Sequence, residues 1–536
     1  MRKTLLLLVV GLGLALRIIG ADWGFPFLLH PDENVVANMP VAMAVRASLD
    51  PEEYNHPDHF DIYANAVIYH TASNLLFHKP LTKTFGEHTL RFYHMSRIFV
   101  ALLGTLCILV AYLVGREYSE DCGLVAATLV AVFPPYVNHS HYITADIPLA
   151  LFTFSVLLFT IRYLKAPSRW NLWAALFLCA LSVSVKYPGV LNLPLVLAAV
   201  TYRRLDDRKL CLKELAQSLA VFTISLLAVS PYLLINFDKV VQALTANANP
   251  VHLGADGLGW TGNLIYYAGT FYDAAGTFLT IFFLAGAVLV VKREKQLALP
   301  LFLGLVYWVA LSKIGLHWER WALPMYTCPL MVAAYGIDWA FKKSRLSSKR
   351  FFTPLLAAAA ALALFNLLAA STALTATYTL PDTRYASYQF TQLKGIKETT
   401  ALYEGFTPFY PGNLRDGSAL NAYYTIDRKK TVESIILSSG VYDRYRQEPD
   451  RYAAENQFYD FTFKLPLIAK FAPKEYLSDP DEPFYLKSEL AKNLAFLTDY
   501  LLHKNELLSG PTILIYKYET PGFLEQAGYA ARRSTK

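Results

Sequence analysis

The chain has 536 residues, of which 54% are hydrophobic and only 17% charged, against roughly 25% charged in an average soluble domain. This excludes a disordered chain and argues against an ordinary soluble protein. The net charge of +7 lies wholly before residue 374, because residues 374–536 carry 20 basic and 20 acidic side chains; a nucleic-acid-binding domain would need a basic face of its own.

In chain order, Met1-Arg2-Lys3 precedes an apolar run from Thr4 to Leu16. No small-x-small cleavage site follows and Arg17 interrupts the exit, so the run reads as a retained first helix rather than a signal peptide. Apolar segments near membrane-spanning length then recur, giving eleven expected spans: 4–21, 97–115, 122–138, 147–164, 171–186, 188–201, 214–235, 276–291, 297–312, 320–340 and 351–373. The segment 60–77 is moderately apolar but carries Asp61, Asn65, His70 and Asn74, and reads as an interfacial helix. With the N-terminus inside, the short inner loops (among them 202–213, 292–296 and 340–350) hold 19 Lys or Arg against 10 outside, as the positive-inside rule requires. Counting 60–77 as a span would reverse that bias.

Three segments then face outward: a loop at 22–96, a loop at 236–275, and residues 374–536. The last is long enough to bury a core. It shows strand-like runs at Glu433–Leu437 and Thr512–Tyr518, a helix-like stretch at Lys487–Leu502, and 17 of the 35 tyrosines. The expected architecture is a polytopic α-helical membrane domain (1–373) followed by an extracytoplasmic α/β domain (374–536). The five cysteines form no CxxC pair, which supports neither a zinc site nor a disulfide framework. No P-loop, GxSxG or HExxH motif is present. Asn138-His139-Ser140 is the one glycosylation sequon noted, set against the membrane. An exported domain without sequon or cysteine favours a prokaryotic plasma membrane.

Charged residues collect at the outer boundary. Asp32 and Glu33 leave the first span in His30-Pro31-Asp32-Glu33, where partial burial would make a carboxylate a competent base, although such pairs are also ordinary caps. Asp146, in Thr144-Ala145-Asp146-Ile147-Pro148, stands on the same face; an acid at the rim of an apolar helix is a functional candidate or an N-cap. Arg97, Lys186 (followed by Tyr187), Lys313, His317 and Arg320 point at the same boundary. Such cations often only snorkel, yet recognition of a phosphate near the headgroups needs these donors.

This arrangement resembles the GT-C glycosyltransferases, in particular the group of protein O-mannosyltransferases and the lipid A aminoarabinose transferase. The likeness rests on His30-Pro31-Asp32-Glu33, on Arg97 through Gly104, on Gly123 through Pro135 continuing to Thr144-Ala145-Asp146, and on Lys186-Tyr187 and His317 to Pro324. One departure is His56-Pro57-Asp58, where relatives of the aminoarabinose transferase carry Lys-Pro-Pro. The resemblance implies transfer of a sugar from a polyprenyl-phosphate carrier to an acceptor hydroxyl on the outer face, with inversion. Asp32 would be the general base, Glu33 would orient it, and Asp146 would position the acceptor. Arg97, Lys186, Tyr187, Lys313, His317 and Arg320 would serve donor and phosphate binding. Any divalent cation, Mg or Mn, would sit at Asp32 and Asp146. The acceptor would be a protein, glycolipid or glycan. A transporter is the main alternative, but it would show internal repeats and mid-membrane charges. A polysaccharide-assembly protein without chemistry would leave Asp32, Glu33 and Asp146 no reason to share a face.

Overall fold

The computed structural model describes residues 1–246, 252–293, 298–346, 352–411, 432–474 and 489–518. The tip of the expected 236–275 loop (247–251), most of the inner loop 292–296, the end of the inner loop 340–350 and the first residues of the Lys487–Leu502 stretch lie outside the described residues.

Each of the eleven expected spans overlaps helix among the described residues, although 4–21 runs past the end of a helix and 122–138 and 214–235 cross breaks. The elements are α1 (Arg2–Ile18), α2 (Glu33–Arg46), α3 (His59–Ala72), α4 (Leu81–Arg116), α5 (Glu120–Ala131), α6 (Pro134–Asn138), α7 (Asp146–Lys165), α8 (Arg169–Val185), α9 (Leu193–Arg203), α10 (Arg208–Val229), α11 (Tyr232–Ile235), α12 (Phe237–Ala246), α13 (Gly259–Arg293), α14 (Leu299–Ser312), α15 (Leu323–Leu346) and α16 (Phe352–Thr377). Among the described residues, five helices are long and apolar enough to cross a membrane by length and composition, or six if the bent pair Glu120–Ala131 and Pro134–His141 counts as one span. Helices α8 and α14 are shorter apolar helices.

Two helices begin earlier than hydropathy suggests. Helix α4 starts at Leu81 rather than near 97, with a kink at His88. The polar residues Lys83, Glu87, His88 and Arg91 lower the local hydropathy without stopping the helix. Helix α13 starts at Gly259 rather than near 276 and breaks at Gly276, whose φ of 69° lies in the left-handed region that glycine tolerates.

The helices pack around one continuous apolar core drawn from α1, α4 to α9 and α13 to α16. Its least expected member is Arg17, fully buried, which donates to the carbonyls of Gly13 (2.8 Å), Val130 (2.9 Å) and Ala131 (3.0 Å). The last two are end carbonyls of α5. Pro134 and Pro135 cannot continue that helix, and Phe133 is extended as a pre-proline residue prefers. The guanidinium therefore satisfies acceptors that the 59° bend orphans.

Beyond α16 come α17 (Thr383–Lys394), α18 (Ser439–Gln447), α19 (Ala453–Thr462) and α20 (Leu490–His503), with β1 (Ala401–Tyr403), β2 (Ser434–Ser438), β3 (Leu467–Phe471) and β4 (Ile513–Lys517). The strands form one sheet of order β1-β2-β4-β3, with β1 parallel to β2 and both β2 and β3 antiparallel to β4. Ile435, Ile436, Leu437, Ile513 and Ile515 are buried, as strands covered on both faces should be. The buried Arg384–Asp382 pair ties this region to the first long loop, because Arg384 also donates to the Leu29 carbonyl (3.4 Å).

Candidate functional site

The segment after α1 turns sharply and delivers two adjacent acids to different places. Asp32 is the residue before α2, with its backbone N–H donating to His30 Nδ1 (3.2 Å). Glu33 opens the helix and points inward. Its carboxylate takes a two-pronged contact from Arg97 on α4 (Nε–Oε1 2.8 Å, Nη2–Oε2 2.7 Å) and a third hydrogen bond from the Ile143 backbone N–H (3.0 Å). Arg97 Nη1 donates to the carbonyls of Ala21 and Trp23. Both side chains are 0% exposed. Neither reaches open space.

Asp32 instead faces a cleft of ≈ 260 Å³ that it shares with Glu53, Asn55, His56, Asp58, Asp146, Lys186 and Arg320. Its side chain is 47% exposed to that opening and forms an ion pair with Arg320. Burial alone would raise the Asp32 carboxyl, but the Arg320 guanidinium, helped by His30 and His56, holds it well below the usual carboxylate range. Arg320 projects from the 3₁₀ turn Glu319–Ala322, its guanidinium over the Trp318 ring at 5.6 Å.

Facing this pair is a second one. Asp146 Oδ1 accepts from Lys186 Nζ at 2.8 Å, with the two side chains 3% and 12% exposed. Asp146 is itself the first helical residue of α7 and makes no capping hydrogen bond. The N-cap reading is thus corrected: its carboxylate goes to Lys186, while the helix N-terminus favours the negative charge. Lys186 is extended between α8 and the 3₁₀ turn Tyr187–Asn192. That turn folds onto the end of α8 so closely that a Cβ on Gly189 would fall 2.2 Å from the Ser182 carbonyl oxygen. A side chain there would displace the turn and with it Lys186.

The fourth wall is the stretch 51–58. It is pinned by the Tyr187 hydroxyl donating to the Tyr54 carbonyl (2.7 Å), by Asn236 bonding Asp50 and Tyr54, and by the Asp58 N–H donating to the Val185 carbonyl (3.0 Å). His59, fully buried between Ser230 Oγ (2.6 Å) and the Glu53 carbonyl, closes the base. Burial lowers the His56 imidazole to about 4, with Lys186 acting in the same direction.

The cleft therefore brings together Asp32, Asp146, Lys186 and Arg320. Tyr187 braces its wall, Glu33 and Arg97 are held apart from it, and Lys313 and His317 do not line it. Lys313 is exposed past the end of α14, and His317 packs its ring against Tyr266 at 4.6 Å. The sequon residue Asn138 is 1% exposed and accepts from the Tyr142 and Tyr378 hydroxyls, an environment with no room for a glycan. Among the described residues, no group of three or more His, Cys, Asp or Glu is placed to hold a metal. Asp32 and Asp146 are each already ion-paired, to Arg320 and Lys186.

A family model, "Dolichyl-phosphate-mannose-protein mannosyltransferase", matches residues 86–235. Among solved structures, ArnT from Cupriavidus metallidurans in the apo state is similar at a TM-score of 0.50 and 14% identity, over 87% of this chain and 95% of that one. ArnT from the same organism bound to undecaprenyl phosphate gives 0.46 and 14%, over 87% and 96%. The Archaeoglobus fulgidus oligosaccharyltransferase in complex with Zn and sulfate gives 0.48 and 12%, over 96% and 88%. No curated protein matches in sequence. Over residues 86–235 the family model bears out the resemblance to the protein O-mannosyltransferase group. The apo ArnT structure shares this chain's fold, and the apolar helices agree with a membrane location.

The matched stretch 86–235 contains Arg97, Asp146 and Lys186, while Asp32 and Arg320 lie outside it. Sequence reasoning missed Glu53 and Asn55 as wall residues and met His56 and Asp58 only as a departure from a motif. The available signal was a polar run between Pro51 and Pro57 in an outward loop: prolines stiffen such a segment, and functional groups concentrate on loops held by a rigid scaffold.

Proposed function

We propose that the protein transfers a sugar from a polyprenyl-phosphate carrier to an acceptor hydroxyl at the outer membrane face, with inversion at the anomeric carbon. The observation that carries this reading is the pairing in one cleft of two carboxylates, Asp32 and Asp146, with two cations, Arg320 and Lys186, from four separate chain segments. The family described by its mannosyl carrier lipid supports a lipid-linked donor.

In the arrangement described, Asp32 is a weak base because Arg320 neutralises it. A donor phosphate entering the cleft competes for Arg320 and Lys186. As the guanidinium turns to the phosphate, the proton affinity of Asp32 rises toward that of an ordinary carboxylate, and Asp32 takes the acceptor's hydroxyl proton. The acceptor oxygen bonds to the anomeric carbon from one side. On the other, the carbon–oxygen bond to phosphate breaks with its electron pair left on the polyprenyl phosphate. Arg320 and Lys186 stabilise that growing charge. Asp146 positions Lys186 and the acceptor, and Glu33 with Arg97 fixes the turn that aims Asp32. Residues 1–373 form the catalytic membrane domain and 374–536 an outward domain that selects the acceptor.

The test is donor consumption by membranes containing the protein, offered a panel of radiolabelled polyprenyl-phosphate sugars. Consumption of one donor that Asp32→Asn abolishes at matched expression is the expected result. Consumption unaffected by the substitution would remove Asp32 as the base.

A further inference from the structure

The charges lining the cleft do not balance. Two cations, Lys186 and Arg320, face four carboxyl side chains, Asp32, Glu53, Asp58 and Asp146. With every group in its usual state the cleft is net negative and would repel a phosphate. Each cation is already matched, Arg320 to Asp32 and Lys186 to Asp146. Glu53 is half-buried and accepts the backbone N–H groups of Asn55 (2.8 Å) and His56 (3.2 Å). Asp58 is 7% exposed, and among the described residues no ion pair to its carboxylate is formed; Lys186 acts on it only through its charge.

Its surroundings make ionisation harder. In the first turn of α3, close enough for the two charges to act on each other, stands Asp61. Asp61 is 2% exposed, and both of its carboxyl oxygens lack a hydrogen-bond partner among the described residues. Around Asp58 are Glu53 and His56 from its own loop, Asp61 from α3, Asp146 from α7, Lys186 from the turn after α8, and Asp32 and Arg320 across the cleft. Burial, then the Asp146, Glu53 and Asp32 charges, push the Asp58 carboxyl well above its ordinary range, against the pull of Lys186. Asp61 is raised as well, by burial and by Asp58 and Asp146. Buried carboxyls without a cation keep their protons.

We infer that Asp58 works as the neutral acid of the cleft, donating its carboxyl proton in a hydrogen bond to a phosphate oxygen of the lipid-linked donor, and that its ionised form excludes the donor. This rests on the reading of the cleft as a phosphate site. No bond to carbon is made or broken by Asp58: the proton stays on the carboxyl and is shared with the phosphate oxygen, adding a third donor to those of Arg320 and Lys186. Asp61 is the positioning residue: once this buried pair has lost one proton, from Asp61, the charge left there makes Asp58 hold the other.

The experiment measures binding of undecaprenyl phosphate to the full-length protein in lipid nanodiscs from pH 6 to pH 9, for wild type and Asp58→Asn. The phosphate's own second ionisation (around pH 6) is common to both, so the ratio of their affinities isolates Asp58. That ratio should fall by about tenfold per pH unit once Asp58 ionises in the wild type, as one-proton linkage demands. Asp61→Asn, which keeps Asp58, should move the fall to lower pH. A ratio constant across the range would overturn the inference while leaving the phosphate site standing. No binding by wild type at any pH would instead remove the phosphate reading. Should Asp58→Asn not fold, the wild-type and Asp61→Asn profiles decide alone: coincident profiles contradict the role of Asp58.

Discussion

Asp32 and Glu33 are neighbours in the chain and each is paired with an arginine, yet the two pairs are different objects. Glu33–Arg97 is wholly buried and every prong is used: the guanidinium spans the carboxylate and two backbone carbonyls, and the carboxylate also takes a backbone N–H. Asp32–Arg320 bridges the two ends of an open cleft, with side chains 47% and 22% exposed. A dry, saturated pair costs several kcal/mol to break and has nothing left to offer a ligand. A wet pair with unused lone pairs is weak as a fastener and can exchange partners. An acid-then-acid motif at a membrane exit thus divides its work, with one residue building the turn and the next residue back facing the open cleft.

Substitutions sharpen that contrast. The largest effect is expected from Arg97→Ala, which leaves Glu33 buried without its cation. A loss of roughly 3–5 kcal/mol should appear as a collapse of the monodisperse peak in detergent chromatography; a well-folded, inactive Arg97→Ala would instead move Arg97 to the phosphate. Next is Arg320→Ala, which should fold but lose transfer by on the order of a hundredfold or more, as loss of a charge-stabilising donor does, when turnover is measured per folded molecule. A third effect concerns pH and the wall of the cleft. His59 is buried, and burial holds its imidazole down at about 4 against an ordinary value of 6.5. The unfolded chain therefore binds the proton first. Stability is level above pH 6.5 and declines as pH falls from there toward 4, by on the order of 3 kcal/mol for this one group; thermal melts of wild type against His59→Gln should diverge in that window. The smallest effect is that of Asp32→Asn on stability, about 1 kcal/mol or less, because a half-exposed pair contributes little.

Much of this was legible in the sequence. Apolar runs marked the places of the long apolar helices, because a chain in lipid must satisfy its backbone internally and cover itself with apolar side chains, although five or six described helices, not eleven, are long and apolar enough to cross. Asp32, Asp146, Lys186 and Arg320 stood out as charges at the ends of such runs. What could not be read was pairing. Arg97 lies 64 residues from Glu33 and Arg320 lies 288 from Asp32, and only the tertiary fold decides which acid each arginine meets. Arg97 therefore looked like a phosphate donor until its guanidinium was found saturated. The extensions of α4 and α13 were hidden because hydropathy records the apolar stretch of a helix, not its hydrogen bonds. Asp58 and Asp61 were hidden because burial of an acid is invisible in its local sequence.

The most direct test of the division between the two pairs is turnover per folded molecule for Asp32→Asn, with donor consumption and the chromatographic peak read on the same preparation. The account predicts a normal peak with consumption lost. A normal peak with consumption retained, or a lost peak of the kind expected for Arg97→Ala, would contradict it.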